Sequence, residues 1–147
     1  MAVNSTFVRI MNFAIAKEAE AYDFYTNLAD SVKKPDIKET ILDFAEQELE
    51  HKEALESLKA GGDWPESEQA GSIDLADYIV NLTYDPDMTY LNALAVAIKK
   101  EDAANRLYRE LARLTDNIAF KNVFNLLAQQ EARHRLRFEL EYDLESF

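Results

Sequence analysis

The chain contains no cysteine. Disulfides, thiolate zinc sites and iron–sulfur clusters are therefore excluded within it, and any metal it holds must sit on oxygen and nitrogen donors. Glycine and proline are scarce, with three of each in 147 residues. All three glycines (Gly61, Gly62, Gly71) and two of the prolines (Pro65, Pro86) fall between positions 61 and 86, which leaves long flanking segments almost free of helix breakers. No run approaches the roughly 20 apolar residues of a membrane span. Basic residues are in deficit, 16 against 28 acidic ones, for a formal charge of −12. Such a surface repels nucleic acid and anionic membranes and attracts cations. A Gly-rich phosphate loop is also missing, which removes the usual basis for nucleotide chemistry.

What is present is enough apolar material, 48% of residues, for one domain with a sizeable core. The apolar run Phe7 to Ala16 ends in Ala14-Ile15-Ala16 and has the outline of a signal peptide, but Arg9 interrupts it and the helical pattern continues through Tyr25. A cytoplasmic location is the expectation.

The spacing predicts a first hairpin over about 5–59, broken near Val32 to Pro35, because Pro35 suits a first helical turn and cannot continue a helix from before it. Gly61 is a natural stop for the second helix. A crossover linker of about 60–88 follows, with a short helix around Ile73 to Leu82. A second hairpin over about 89–142 breaks near Thr115 to Asn117, where Thr115 or Asp116 offers an N-cap. On the second helix Ile41, Phe44, Glu48, His51, Leu55 and Leu58 recur at the spacing of a bundle seam. Phe7, Met11, Ala14, Glu18, Tyr25 and Leu28 mark the stripe of the first helix, and Leu94, Glu101 and Tyr108 that of the third. Tyr22, Phe24, Phe44, Trp64, Phe124 and Phe138 read mainly as packing.

The two hairpins are internal copies. Ala14-Ile15-x-Lys17-Glu18 returns as Ala97-Ile98-x-Lys100-Glu101, and Ala45-x-Gln47-Glu48-x-x-His51 returns as Ala128-x-Gln130-Glu131-x-x-His134, each 83 positions later. On faces expected to be exposed the copies diverge: Asp23 becomes Arg106, Glu46 becomes Gln129 and Glu50 becomes Arg133. Glutamates at 18 and 48 are equidistant from the first predicted turn, and those at 101 and 131 from the second, so all four fall at one level of the bundle. Four unpaired buried carboxylates would each carry a desolvation penalty of several kcal/mol. Two divalent cations balance their charge.

A single Glu-x-x-His on a helix is ordinarily a solvated pair or part of a polar core network. Two copies, level with two further seam glutamates and using both histidines of the chain, match the ligand pattern of di-iron and di-manganese carboxylate bundles. The expected metal ligands are Glu18, Glu48, His51, Glu101, Glu131 and His134, holding two Fe ions, with manganese or zinc able to substitute. Tyr25 and Tyr108, each seven residues after a ligand glutamate, are candidates for catalytic neighbours of the site, although core packing accounts for them nearly as well.

Through Glu18-x-Glu20-Ala21-x-x-x-Tyr25, Ala45-Glu46-Gln47-Glu48-x-x-His51 and their second copies, the chain resembles the rubrerythrin-like branch of the ferritin-like superfamily over nearly its whole length. The resemblance implies an all-α, ferritin-like antiparallel four-helix bundle made of two repeated hairpins joined by a long crossover. It implies Glu18 and His51 terminal on one iron, Glu101 and His134 terminal on the other, and Glu48 and Glu131 bridging. It further implies reduction of hydrogen peroxide as an oxidoreductase (peroxidase) activity, in oxidative stress defence. Without the cysteine-bearing rubredoxin domain typical of rubrerythrins, electrons are expected from an external donor, a rubredoxin-like protein or a flavoprotein. Rubrerythrins also resemble one another in an extra glutamate three residues after the third-helix ligand, where this chain has Ala104. That departure keeps two alternatives open: a ferroxidase handling Fe(II) with dioxygen or peroxide, and a structural bundle with a vestigial site. A homodimer is the expected assembly.

Overall fold

The computed structural model describes residues 5–61, 73–81 and 83–147. Four α-helices carry it: α1 (Ser5–Ser31), α2 (Pro35–Ala60), α3 (Tyr90–Leu114) and α4 (Ile118–Glu145). They form the all-α, ferritin-like four-helix bundle, with α1 packed along α2 and α3 along α4. Contacts across the middle fix the directions of the helices. Tyr25 of α1 meets Glu101 of α3 while Tyr108 meets Glu18, so these two helices run antiparallel. Gln47 of α2 meets His134 of α4 while His51 meets Gln130, so this pair is antiparallel too. Since α1 is also antiparallel to α2, α2 and α3 run parallel, and the chain between them must travel the length of the bundle.

Local sequence sets the boundaries. Pro35 occupies the first turn of α2, with Asp36 beside it against the helix dipole. At the other end Gly61 closes the helix in a right-handed conformation (φ −80°), its N–H bonded to Ser57 O at 3.0 Å. A Cβ there would meet only ordinary contacts, so the stop does not depend on glycine's left-handed freedom. Thr89 caps α3, its hydroxyl accepting from Asn92 N at 3.1 Å. The cap of α4 is Asn117, which accepts from Phe120 N at 3.1 Å, and not Thr115 or Asp116 as expected. Thr115 closes α3, is buried, and uses its hydroxyl to accept from Asn117 N, which tightens the connection and carries the cap two residues on. The short linker helix shrinks to one 3₁₀ turn, Leu75–Tyr78, started by Asp74 accepting from Ala76 N. Trp64 and Leu82 lie outside the described residues.

Buried residues form two apolar clusters, one on either side of the mid-level of the bundle. The first contains Phe7, Met11, Leu55, Leu107, Tyr108, Leu111, Phe124 and Leu127; the second contains Phe24, Tyr25, Leu28, Ile41, Leu94 and Phe138. At the end where the second cluster lies, Tyr90 donates to the buried Glu141 at 3.1 Å and Lys34 pairs with Glu145 across the bundle. Among the described residues no helix is long and apolar enough to cross a membrane. Leu94 is completely buried. Leu94→Ala is expected to cost about 2–5 kcal/mol in urea unfolding while keeping helical content; a loss near zero would mean that the second cluster is not a packed core.

Candidate metal centre

Between the two clusters the helical repeat brings polar side chains inward. Each Glu-x-x-His pair sits three residues apart on one face, so Glu48 and His51 project together from α2, and Glu131 and His134 from α4. Glu18 of α1 and Glu101 of α3 close the ring. All six side chains expected from sequence are brought into one cluster, and none is more than 2% exposed.

The geometry repeats almost to the tenth of an ångström in the two halves. His51 Nδ1 lies 2.9 Å from Glu131, 3.6 Å from Glu18 and 3.8 Å from Glu48. His134 Nδ1 lies 2.8 Å from Glu48, 3.6 Å from Glu101 and 3.8 Å from Glu131. Two sets of potential donors result, Glu18, Glu48, His51 and Glu131 in one, Glu48, Glu101, Glu131 and His134 in the other, each with its ligand atoms within 4.8 Å of one another. Glu48 and Glu131 belong to both.

Carboxylate oxygens of Glu18 (Oε2), Glu48 (Oε2), Glu101 (Oε2) and Glu131 (Oε1), with His51 Nδ1, are buried without a hydrogen-bond partner. Such groups are costly in an apolar interior. Hard oxygen donors with imidazole nitrogen suit iron or manganese, and four carboxylates neutralise two divalent ions, so these residues fit a two-metal site. Without cations the cluster must hold protons instead. Burial, with repulsion from the neighbouring glutamates, raises the carboxyls of Glu48 and Glu131 well above the usual range. Burial also acts to raise Glu18, but the close approach of Glu48 and His51 and the hydrogen bond from Tyr108 win and hold it below normal. For His51 burial opposes the charged ring, yet the carboxylates of Glu131 and Glu18 beside it push it up to about 11.

The surrounding residues orient these groups. Tyr25 donates to Glu101 and Tyr108 to Glu18, and burial beside the carboxylates holds both phenols in the neutral form, as donors. The two tyrosines proposed from spacing thus reach the ring by crossing between helices. Sequence reasoning assigned no role to Gln47 and Gln130. His134 Nε2 meets Gln47 Oε1 at 2.8 Å, and His51 Nε2 meets Gln130 Oε1. An amide oxygen only accepts, so each Nε2 carries a proton, and Nδ1 is the nitrogen turned toward the cluster, the one that would ligate a metal. The signal was available: glutamine precedes the inward glutamate in both copies of the repeat.

The halves differ in their apolar surroundings. Phe44 stacks on His134 at 4.1 Å between centroids, Phe138 packs on Phe44 at 5.4 Å, and Tyr25 on Phe138 at 5.2 Å. The positions that correspond to Phe24, Phe44 and Phe138 in the other copy are Leu107, Leu127 and Leu55.

The family model described as rubrerythrin matches residues 9–80 and 92–143. Among solved structures, the chain is similar to one assigned as a ferritin-like diiron-carboxylate protein from Thermotoga maritima, with 27% identity, a TM-score of 0.79, and 96% of each chain covered. It is also similar to a hypothetical protein from Pyrococcus furiosus, at 23% identity and a TM-score of 0.75 over 94% of this chain and 89% of that one. A conserved hypothetical protein from Mycobacterium tuberculosis shares the fold at 14% identity and a TM-score of 0.67, with 97% and 94% covered. No curated protein matches.

Two measurements probe the site. Carboxyls raised in the folded state, Glu48 and Glu131, contribute stability that is complete below their unfolded value of 4.5 and is lost as pH rises through the folded value. His51 acts in the same direction, complete below 6.5 and lost toward about 11. Glu18 acts oppositely, but only in acid. The melting temperature of chelated protein is therefore expected to fall between about pH 7 and pH 10, and divalent metal should release protons on binding; a flat profile with no proton release would contradict this account. Gln47→Leu, which leaves the His134 tautomer unheld, is expected to weaken Co(II) binding by about 10–100-fold in a competition titration, with the fold retained.

Proposed function

From a chain that belongs to the rubrerythrin family, we propose a non-haem di-iron protein that reduces hydrogen peroxide to water, with electrons supplied by a separate redox protein. The observation that carries this reading is the pair of buried donor sets that share Glu48 and Glu131. Glu18 and His51 would hold one iron, Glu101 and His134 the other, and Glu48 and Glu131 both. When bound, the metal pair supplies the two electrons that, with two protons, convert one peroxide into two waters.

The rest of the work falls to side chains of this chain. Tyr25 and Tyr108 each engage one oxygen of a glutamate and leave the other directed at the cluster. Gln47 and Gln130 accept from Nε2 of the two imidazoles and so keep Nδ1 turned toward the metal positions. The apolar clusters above and below exclude water, so the donors meet their occupant with little reorganisation. No cysteine lies among these 147 residues, so they contain no iron–sulfur or rubredoxin-type relay.

A second reading, oxidation of Fe(II) with dioxygen as part of iron handling, draws on Ala104. Where the family resemblance leads one to expect a seventh carboxylate, this chain repeats the alanine of its first copy, Ala21, and leaves a two-fold symmetric donor set.

Anaerobic protein loaded with Fe(II) and mixed separately with peroxide and dioxygen tests both. Two irons per chain, oxidised with consumption of about one peroxide per pair and much faster than by dioxygen, support the peroxidase. Preference for dioxygen with continuing iron uptake would move the assignment to a ferroxidase, and no acceleration over free Fe(II) would exclude both.

A further inference from the structure

The buried cluster is reached from outside between α1 and α3, on the side away from the histidines. A cavity of about 30 Å³ there is floored by the carboxylates of Glu18, Glu48, Glu101 and Glu131. Its floor includes the buried oxygens that have no hydrogen-bond partner. Part of the wall is built of small residues. Ala21 and Ala104 are copies of each other across the 83-residue repeat, and both line the passage. Residues that would otherwise fill the gap between α1 and α3 are reduced to methyl groups at the level of the donors.

The mouth carries a second repeated pair, Lys17 and Lys100, each one residue before an inward glutamate. Lys17 is paired with Glu20 at 3.1 Å and lies over the Phe13 ring. Lys100 lies over Phe24, with its ammonium 5.6 Å from the ring centroid, and has no ion pair among the described residues. Tyr78 and Val80 of the crossover segment lie along the same opening, and Arg106 of α3 sits over the Tyr78 ring at 5.4 Å, tying that segment down. In a chain of charge −12, the passage to the cluster is thus bordered by lysines.

We propose that this passage is the oxidant portal of the centre, that Ala21 and Ala104 are its size-determining residues, and that it admits small unbranched molecules such as hydrogen peroxide while rejecting branched alkyl hydroperoxides. The inference rests on the peroxidase reading and adds a substrate class to it. The volume decides the class. One water needs about 10–15 Å³ of such space, so the 30 Å³ present before any ion enters is an upper bound that leaves no room for a tertiary alkyl group. A leucine at 104 would add three carbons to the wall of the passage.

Protein reconstituted with Co(II) provides a readout that does not depend on turnover. Azide, a small anion drawn to the lysine-bordered mouth, is titrated by visible absorbance into wild type, Ala104→Leu and Ala104→Ser. The expected result is two Co(II) per chain in all three, azide binding in wild type and Ala104→Ser, and affinity lower by about tenfold or more in Ala104→Leu. In parallel, anaerobic diferrous wild type is mixed with hydrogen peroxide and with tert-butyl hydroperoxide, a comparison that needs no variant. Oxidation by hydrogen peroxide about 100-fold faster or more supports the size limit. Equal azide affinity in Ala104→Leu, or comparable rates with the two peroxides, overturns the portal while leaving the two-metal site intact. Failure of wild type to bind two Co(II) overturns the site and the portal together.

Discussion

Four carboxylates meet in the middle of this bundle, shielded from bulk solvent, and the rest of the structure answers to that constraint. Their mutual repulsion and lost hydration cannot be relieved by rotating outward, because apolar layers close the bundle above and below. The relief available is a positive charge at the centre, a proton on Glu48, Glu131 or His51 in the metal-free protein, or a pair of divalent ions. Tyr25, Tyr108, Gln47 and Gln130 then read as one system. Two phenols and two amides fix the orientation of two glutamates and two imidazoles, so that one oxygen or nitrogen of each is turned toward the centre.

Much of this was legible in the residues because the repeat separates what is held from what is free to vary. Glu18, Glu48, His51 and their copies recur at one offset while exposed neighbours such as Glu50 and Arg133 change sign, and the helix period places all six at one level. The crossed partnerships were harder to read. That Tyr25 serves Glu101 and not Glu18, or that Gln47 serves His134 and not His51, depends on which helices lie side by side, and the period of a single helix carries no such information. The cap of α4 was misplaced for a similar reason: Thr115 has a suitable hydroxyl, but burial at the end of α3 commits it to the connection. The expected linker helix came out as a single turn, since Leu75 is the only buried residue among those described in it and one apolar anchor is not enough to stabilise a longer helix.

The two halves are near copies in donor geometry and unlike in their packing. Aromatic rings support His134 and Tyr25, whereas leucines occupy the matching places around His51 and Tyr108. A stacked ring restrains an imidazole more than an aliphatic side chain does, and its quadrupole favours a neighbouring positive charge. The positions for two metals are therefore distinguishable in environment while equal in ligands, which gives a chemically symmetric centre a defined direction along the bundle.

The 83-residue repeat also bears on ancestry. Each hairpin contributes one lone glutamate, one Glu-x-x-His, one glutamine and one tyrosine, and the glutamine and the tyrosine act on the opposite hairpin. A chain of half this length, with α1 and α2 alone, would hold half a site, and two such chains related by a two-fold axis would complete it with every crossed contact in place. Fusion of those halves into one polypeptide leaves the donors where they were and frees the packing residues to differ, something a pair of identical chains cannot do. The phenylalanines facing leucines across the centre are what that freedom leaves behind.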